Sequence, residues 1–294
     1  MTKIIESKGS PTEWMIDRAL RGLIGAALRI PYNTRVPFMG TALRSCIGPL
    51  AGYTKRAEAN IALIYPNMPA DERKLTAAKV CDNFGRTLIE NYSWSEFSNR
   101  LASTVPMGDG LEVIAQAKAD GRPVIFVTGH FGNHEAPRHV LTGMGYDIGG
   151  LYRPMTNSYF NKHYATTMTA WGGPVFEQGR RGTLGFARHL RNGGMGTLLF
   201  DVANSKGVPI TFMGKKANTT TSAADLAIKL DALVVPYFGT RCTDGLTFEV
   251  EIQSQIQRGT PEQMMQDMTD RLTKKVMKHP NQWFWVHRRW KNAP

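Results

Sequence analysis

The stretch Val124–Glu135, VIFVTGHFGNHE, decides how the rest of the chain is read. The apolar run Pro123–Thr128 predicts a strand buried on both faces, as in a parallel sheet covered by helices. Gly129 then opens a loop through His130, Phe131, Gly132, Asn133, His134 and Glu135, where a helix is expected to begin. The carboxyl end of a strand, opening into a glycine-bearing loop, is where α/β folds place ligands. Glu135 lies five residues beyond His130. A carboxylate at that spacing can fold back onto one ring nitrogen, fix the tautomer and leave the other nitrogen as a base. Spacing alone leaves a hydrogen-bonded structural histidine as the alternative.

Outward from this stretch the same alternation continues. Thr197–Phe200 (TLLF) and Leu233–Phe238 (LVVPYF) predict further buried strands, and Thr247–Ile252 (TFEVEI) alternates like a half-exposed edge strand. Helices are expected near Phe160–Trp171, Thr183–Arg191 and Ser222–Leu230, and a terminal one over Pro261–His279. Thr219–Thr221 reads as the cap of the Ser222 helix. Upstream, about Ala70 to Phe97 predicts one long helix with Leu75, Ala78, Cys81, Phe84 and Leu88 on its buried face. The fold class is therefore α/β, a mixed or parallel central sheet flanked by helices. An N-terminal amphipathic, membrane-facing region (residues 1–56) is expected to precede a single domain over 57–294.

The 294 residues, 42% hydrophobic and 20% charged, support a substantial core and exclude a disordered or disulfide-stapled chain. Three scattered cysteines fit a reducing compartment. No apolar stretch predicts a spanning helix, and the N-terminus lacks the apolar core of a secretory signal. The net charge of +12 sits at the two ends. Arg18–Arg56 and Arg271–Pro294 each hold seven basic residues and no acidic one, so the remainder is close to neutral. In the first segment Met15, Ile16, Ala19, Leu20, Leu23, Ile24, Ala27 and Leu28 recur at helical spacing. Arg18, Arg21 and Arg29 fall mostly opposite them, and Trp14 flanks the entrance. That is the pattern of a helix lying in a lipid interface, the alternative being a surface helix packed on its own domain. Pro31, Pro37 and Pro49 are expected to divide the next segment into short apolar pieces (Val36–Leu43, Ser45–Tyr53). The closing QWFWVHRRWK sets aromatic rings beside basic groups, which suits a headgroup layer or stacked nucleic-acid bases.

His130–Glu135 resembles the H-x4-D/E motif of glycerolipid and lysophospholipid acyltransferases, and its wording is most similar to the branch adding secondary acyl chains to lipid A. Further ordered segments are similar to that branch: Arg56–Pro66 (RAEANIALIYP), Tyr152-Arg153-Pro154 followed by Asn157, Gly207–Gly214 (GVPITFMG) with Thr219–Thr221, and Trp285–Lys291 (WVHRRWK). Two features depart from it. Asp201 is followed by Val202 where the family has Gln or His, and the N-terminal segment is a modest amphipathic helix where many relatives have a longer anchor.

The resemblance implies acyl transfer from a thioester to an alcohol, with His130 as base and Glu135 as its orienter, and without an acyl-enzyme. It implies acyl–acyl carrier protein, or acyl-CoA, as co-substrate rather than a cofactor. The acceptor would be a 3-hydroxyacyl chain on a lipid A precursor or a lyso-aminolipid, at the cytoplasmic side of an anionic inner membrane. Arg153 is a candidate for the oxyanion or an acidic headgroup; Arg180, Arg181, Asp201, Phe131 and Asn133 are candidates for substrate binding. Two rivals stand beside this. His130, His134 and Glu135 invite a zinc hydrolase, but H-x3-H-E is not H-E-x-x-H, so no metal is expected. A non-enzymatic nucleic-acid or membrane binder would use the basic ends alone, but no nucleic-acid-binding signature accompanies them, so no nucleic-acid partner is expected.

Overall fold

The computed structural model describes residues 9–291. Helix α1 (Pro11–Leu28) starts at a capping box in which Ser10 and Glu13 satisfy each other's backbone N–H. Its one buried residue is Asp17, while Met15, Ile16, Leu20 and Leu23 are exposed. The apolar face is thus not spent on the domain core.

Pro31 separates α1 from the next helix, but Pro37 and Pro49 do not divide the following segment as expected. Helix α2 (Tyr32–Ala42) contains Pro37 and continues through a π-helical turn (Leu43–Ile47) into the short α3 (Gly48–Leu50). The Gly48 N–H reaches back five residues to the Leu43 carbonyl. This widened turn makes room for the Pro49 ring, which a regular helix would press against the carbonyl four residues earlier. Arg35 is buried rather than part of a charged surface, donating to Ser93 and to the carbonyls of Leu28 and Ile30.

After α4 (Tyr53–Ile64), the long helix divides into α5 (Ala70–Tyr92) and α6 (Trp94–Leu101). The break is at Ser93, whose hydroxyl donates back to the Ile89 carbonyl at 2.6 Å and accepts from Arg35. Helix α7 (Gly110–Ala119) leads into the sheet.

The sheet is built from β1 (Val124–Thr128), β2 (Ile148–Tyr152), β3 (Val175–Glu177), β4 (Met195–Leu199), β7 (Leu233–Arg241) and β8 (Phe248–Ile252), in the order β3-β2-β4-β1-β7-β8. All pairs are parallel except β7–β8. Between the strands lie α8 (Ala136–Gly143), α9 (Ser158–Thr169), α10 (Arg180–Arg191) and α11 (Ser222–Leu230), and α12 (Pro261–Lys278) comes after β8. A separate hairpin pairs β5 (Val208–Phe212) with β6 (Lys215–Thr219). Alternate residues of β1 feed opposite layers: Ile125 and Val127 pack toward α11 and α12, Val124 and Phe126 toward α7 and α8. The three strands expected from apolar runs are β4, β1 and β7, adjacent at the centre, and the alternating one is the antiparallel edge β8.

The closing segment is interior rather than headgroup-facing, which corrects its sequence reading. Trp283 and Trp285 are 0% exposed. Arg289, also buried, donates to the Asn218 carbonyl and to Thr219, so Thr219 anchors the closing segment while Thr221 takes the N-cap position of α11.

One polar network joins these parts beneath the His130 loop. Arg241 of β7 grips Glu90 of α5 through both terminal nitrogens (2.5 and 2.7 Å) and also donates to Asn83 and Thr87. Glu90 in turn accepts from Asn133, and Asn83 and Thr87 donate to the Gly132 carbonyl. Removing one partner of a buried pair strands the other charge at a cost of about 3–5 kcal/mol, whereas replacing both can be nearly neutral. Arg241→Met should therefore lower unfolding free energy by about that amount in denaturant titration. The double change Glu90→Leu with Arg241→Met should recover a large part of it, and a double variant no better than the single would refute this account.

Candidate functional site

His130 stands at the carboxyl end of β1, beside the carboxyl end of β4, and Asp201 lies two residues beyond β4. Asp201 is 1% exposed and takes three donors: the His130 N–H at 2.7 Å, His130 Nδ1 at 2.8 Å and Trp283 Nε1 at 2.8 Å. Burial opposes its ionisation, but the His130 and His287 rings and the two hydrogen bonds from His130 outweigh it and hold the carboxyl well below the usual carboxylate range. An ionised carboxylate only accepts, so Nδ1 of His130 carries a proton, and in the neutral ring Nε2 is the nitrogen with the free lone pair.

The loop permits no slack. At Gly129 a Cβ would lie 3.0 Å from Asp201 Oδ2 and 2.7 Å from Leu272. Gly132 has φ +56, and a Cβ there would meet the Gly239 carbonyl at 1.9 Å. The loop's backbone is also pinned: Phe284 N–H donates to the His130 carbonyl, Gly132 N–H to Gln282, and Asn133 N–H to Gly239.

His130 opens onto an apolar cavity of about 940 Å³. Its walls include Leu23 and Ile24 of α1, Met39 of α2, Leu43 and Ile47 of the π turn, Leu88 and Tyr92 of α5, and Phe160 of α9. That volume falls at the upper end of small-molecule pockets, and the lining suits a hydrocarbon chain. Two more histidines on the cavity wall, His134 and His287, have ring centroids 5.4 and 4.5 Å from that of His130. Burial, together with the positive charge that His130 carries when protonated, lowers His134 to about 3 and His287 to about 4, so both are neutral near pH 7.

The other predicted residues separate. Glu135 makes no hydrogen bond to His130. Its carboxylate, buried at the start of α8, lies 3.7 Å from Arg138 and 3.7 Å from His134, and its Oε2 has no hydrogen-bond partner. Burial raises its pKa against the opposing charge of Arg138. The expected fold-back fails because the ring of His130 turns toward the neighbouring strand, while α8 carries Glu135 toward Arg138. Phe131 is buried against Phe238, and Asn133 is buried with its amide on Glu90 and its oxygen on the Glu135 N–H. Neither is among the residues that line the cavity. Arg153, after β2, and Arg180 and Arg181, opening α10, are exposed at the carboxyl rim of the sheet, and none has an ion pair among the described residues. β4 separates β2 from β1, so Arg153 stands roughly two strand spacings, about 10 Å, from the β1 position.

Sequence reasoning ranked Asp201 as a weak substrate contact and passed over Trp283 and His287. The signal was Asp201's place at a strand end, but nothing in chain order says that β4 inserts beside β1. His130, Asp201 and His287 bring ligand-type atoms within 4.8 Å of one another and could hold a cation. His134, which the zinc reading required, is not in that group.

Residues 11–292 match the family described as bacterial lipid A biosynthesis acyltransferase. The chain is similar to a lipid A biosynthesis lauroyltransferase of Escherichia coli (strain K12), 27% identical over 93% of this chain and 90% of the relative. It is also similar to a lipid A biosynthesis palmitoleoyltransferase of the same organism, 24% identical over 97% and 93%. A lipid A biosynthesis acyltransferase of Haemophilus influenzae is 24% identical over 79% and 73%.

Two measurements test the geometry without an assay. Proton NMR should show a downfield Nδ1–H resonance for His130 that vanishes in Asp201→Asn and survives in Glu135→Gln; the reverse pattern would return the orienting role to Glu135. His134, His139 and His287 are held at about 3, 3 and 4, against 6.5 when unfolded. The unfolded chain therefore binds more protons in between, and stability must fall as pH drops from about 6.5 toward 4, by up to about 1.4 kcal/mol per pH unit per histidine. Thermal melts across that range should show the fall, with a shallower slope in His139→Asn.

Proposed function

The chain belongs to the bacterial lipid A biosynthesis acyltransferase family, and from that premise we propose that it moves an acyl chain from an acyl thioester to the hydroxyl of a 3-hydroxyacyl chain on a lipid A precursor. It is an acyltransferase. The observation that carries the mechanism is the His130–Asp201 pair opening on the apolar cavity.

In this reading Nε2 of His130 takes the hydroxyl proton as the oxygen attacks the thioester carbonyl, and returns it to the departing thiolate. Asp201 fixes the tautomer and stabilises the imidazolium, a positioned base being worth roughly 10²–10⁴-fold. The apolar cavity holds acyl chain and excludes water. Glu135 acts at one remove, by setting Arg138 and the start of α8. The unpaired Arg153, Arg180 and Arg181 supply cations for an acidic headgroup or an acidic carrier protein, the donor form we favour over acyl-CoA. Among the described residues no helix is long and apolar enough to cross a membrane. The exposed apolar side of α1, with Arg18 and Arg21 on the same helix, supports peripheral attachment to an anionic surface, which we place on the cytoplasmic side of the inner membrane.

His130→Ala should lower turnover about 10²–10⁴-fold with folded yield unchanged. Asp201→Asn should do nearly the same, because the amide can donate to Nδ1 and enforce the wrong tautomer. Glu135→Gln should cost less than either. Turnover should survive a strong chelator; its loss would give the site to a cation. Lipid analysis of a deletion strain should show under-acylated lipid A. Accumulation of a lyso-aminolipid would move the acceptor, and no change in any acylated lipid would overturn the reading.

A further inference from the structure

His287 has a polar ring with no visible employment. Its main chain is fixed at both ends: the N–H donates to the Phe284 carbonyl at 3.1 Å, and the carbonyl accepts from Asn60 at 2.8 Å. The ring, in contrast, makes no hydrogen bond among the described residues: its Nε2 is shielded without a partner, and Nδ1 is the unbonded nitrogen that keeps accessible surface. It lines the cavity and stands edge-on to the His130 ring, with centroids 4.5 Å apart. A buried polar group left unpaired in a native structure calls for a reason, and a catalytic task is a common one. Backbone clamps on a ring that bonds to nothing mean that its position is prepared in advance.

Acyl transfer leaves a position for such a donor. When the acceptor oxygen bonds to the thioester carbon, the carbonyl π pair moves onto its oxygen, and that oxyanion needs hydrogen-bond donors already in place. The expected donor, Arg153, is exposed and lies outside the cavity lining. His134 is the other histidine beside His130, but its Nε2 faces the Glu135 carboxylate at 3.7 Å. Asp201 is fully engaged.

We propose that His287 donates its Nδ1–H to the tetrahedral oxyanion formed beside His130. The inference rests on the acyltransferase reading above. In the full step, His130 Nε2 takes the hydroxyl proton, the new C–O bond forms, and the oxyanion accepts from the neutral His287. The C–S bond then breaks as the carbonyl reforms, and the His130 imidazolium protonates the thiolate. His287 neither gains nor loses a proton. A neutral donor suits the position, since a second imidazolium there would repel the one forming on His130.

The test compares His287→Phe, which keeps ring volume without a donor, with His287→Gln and His287→Asn, which restore an amide N–H at different reach. The assay uses an acyl thioester donor and an under-acylated lipid A precursor. His287→Phe should lower kcat about 10²–10³-fold, with the KM of the donor changed less than about threefold and the melting temperature near wild type. At least one amide variant should turn over at least about tenfold faster than His287→Phe. If His287→Phe does not fold, the amide variants decide alone: at least one must fold and keep kcat within about 30-fold of wild type, and loss beyond that in both refutes the assignment. Folded His287→Phe with kcat within threefold of wild type, or a rise in KM with kcat preserved, also overturns it. Wild-type enzyme showing no transfer, while still folded, would instead overturn the acyltransferase reading on which the proposal stands.

Discussion

The buried pair between Glu90 and Arg241 is the constraint on which the rest of the structure depends. It ties helix α5 to the central strand β7, and everything around it is arranged to make two buried charges tolerable. Asn133 meets one oxygen of Glu90, while Asn83 and Thr87 serve both Arg241 and the Gly132 carbonyl. The His130 loop is therefore assembled from the groups that satisfy the pair. A buried ion pair is a weak source of net stability but a demanding specifier, since any shift of α5 against the sheet would leave charge uncompensated. That demand holds the long helix, which also walls the cavity, in fixed relation to His130.

Two carboxylates near the same loop are driven in opposite directions by their surroundings. Asp201 receives three N–H donors and is kept ionised, whereas Glu135 is buried with one oxygen lacking a hydrogen bond and has its pKa raised. Position in sequence favours Glu135, only five residues from His130. Hydrogen bonding favours Asp201, seventy-one residues away. The chemistry goes with the donors, because a base needs its partner charged and its tautomer fixed. Trp283 strengthens this by spending its indole N–H on Asp201, which explains why an aromatic segment rich in basic residues ends up inside the protein.

Continuous apolar runs marked β1, β4 and β7 because strands buried on both faces leave no polar alternation, and alternation marked the edge strand β8. Strand β2 escaped notice because IGGLY contains two glycines and little β-branched character, though it is bounded by turns on both sides. The position of His130 was legible since strand, glycine and histidine are contiguous. Asp201 was not, because strand order β3-β2-β4-β1 is a three-dimensional fact that local pattern does not encode. The C-terminal aromatics and Arg289 misled for a related reason: composition gives the residue types but not the buried carbonyls and hydroxyls that receive their N–H groups.

The surplus charge and the exposed apolar groups then take on a common logic. Arg35 and Arg289 are consumed inside, Arg271 and Lys275 pair with Asp267 and Glu251, and the unpaired rim arginines remain with the outer helices. Leu23, Phe38 and Leu50 are 69%, 58% and 84% exposed, and the first two also line the cavity. Under the proposed function, lipid rather than water covers this side. Excluding water there lowers the local dielectric, which strengthens the Asp201–His130 attraction and keeps His287 uncharged. Attachment to the bilayer and preparation of the reaction site would then be one physical event, since the helices that meet the lipid are the walls that keep His130 dry.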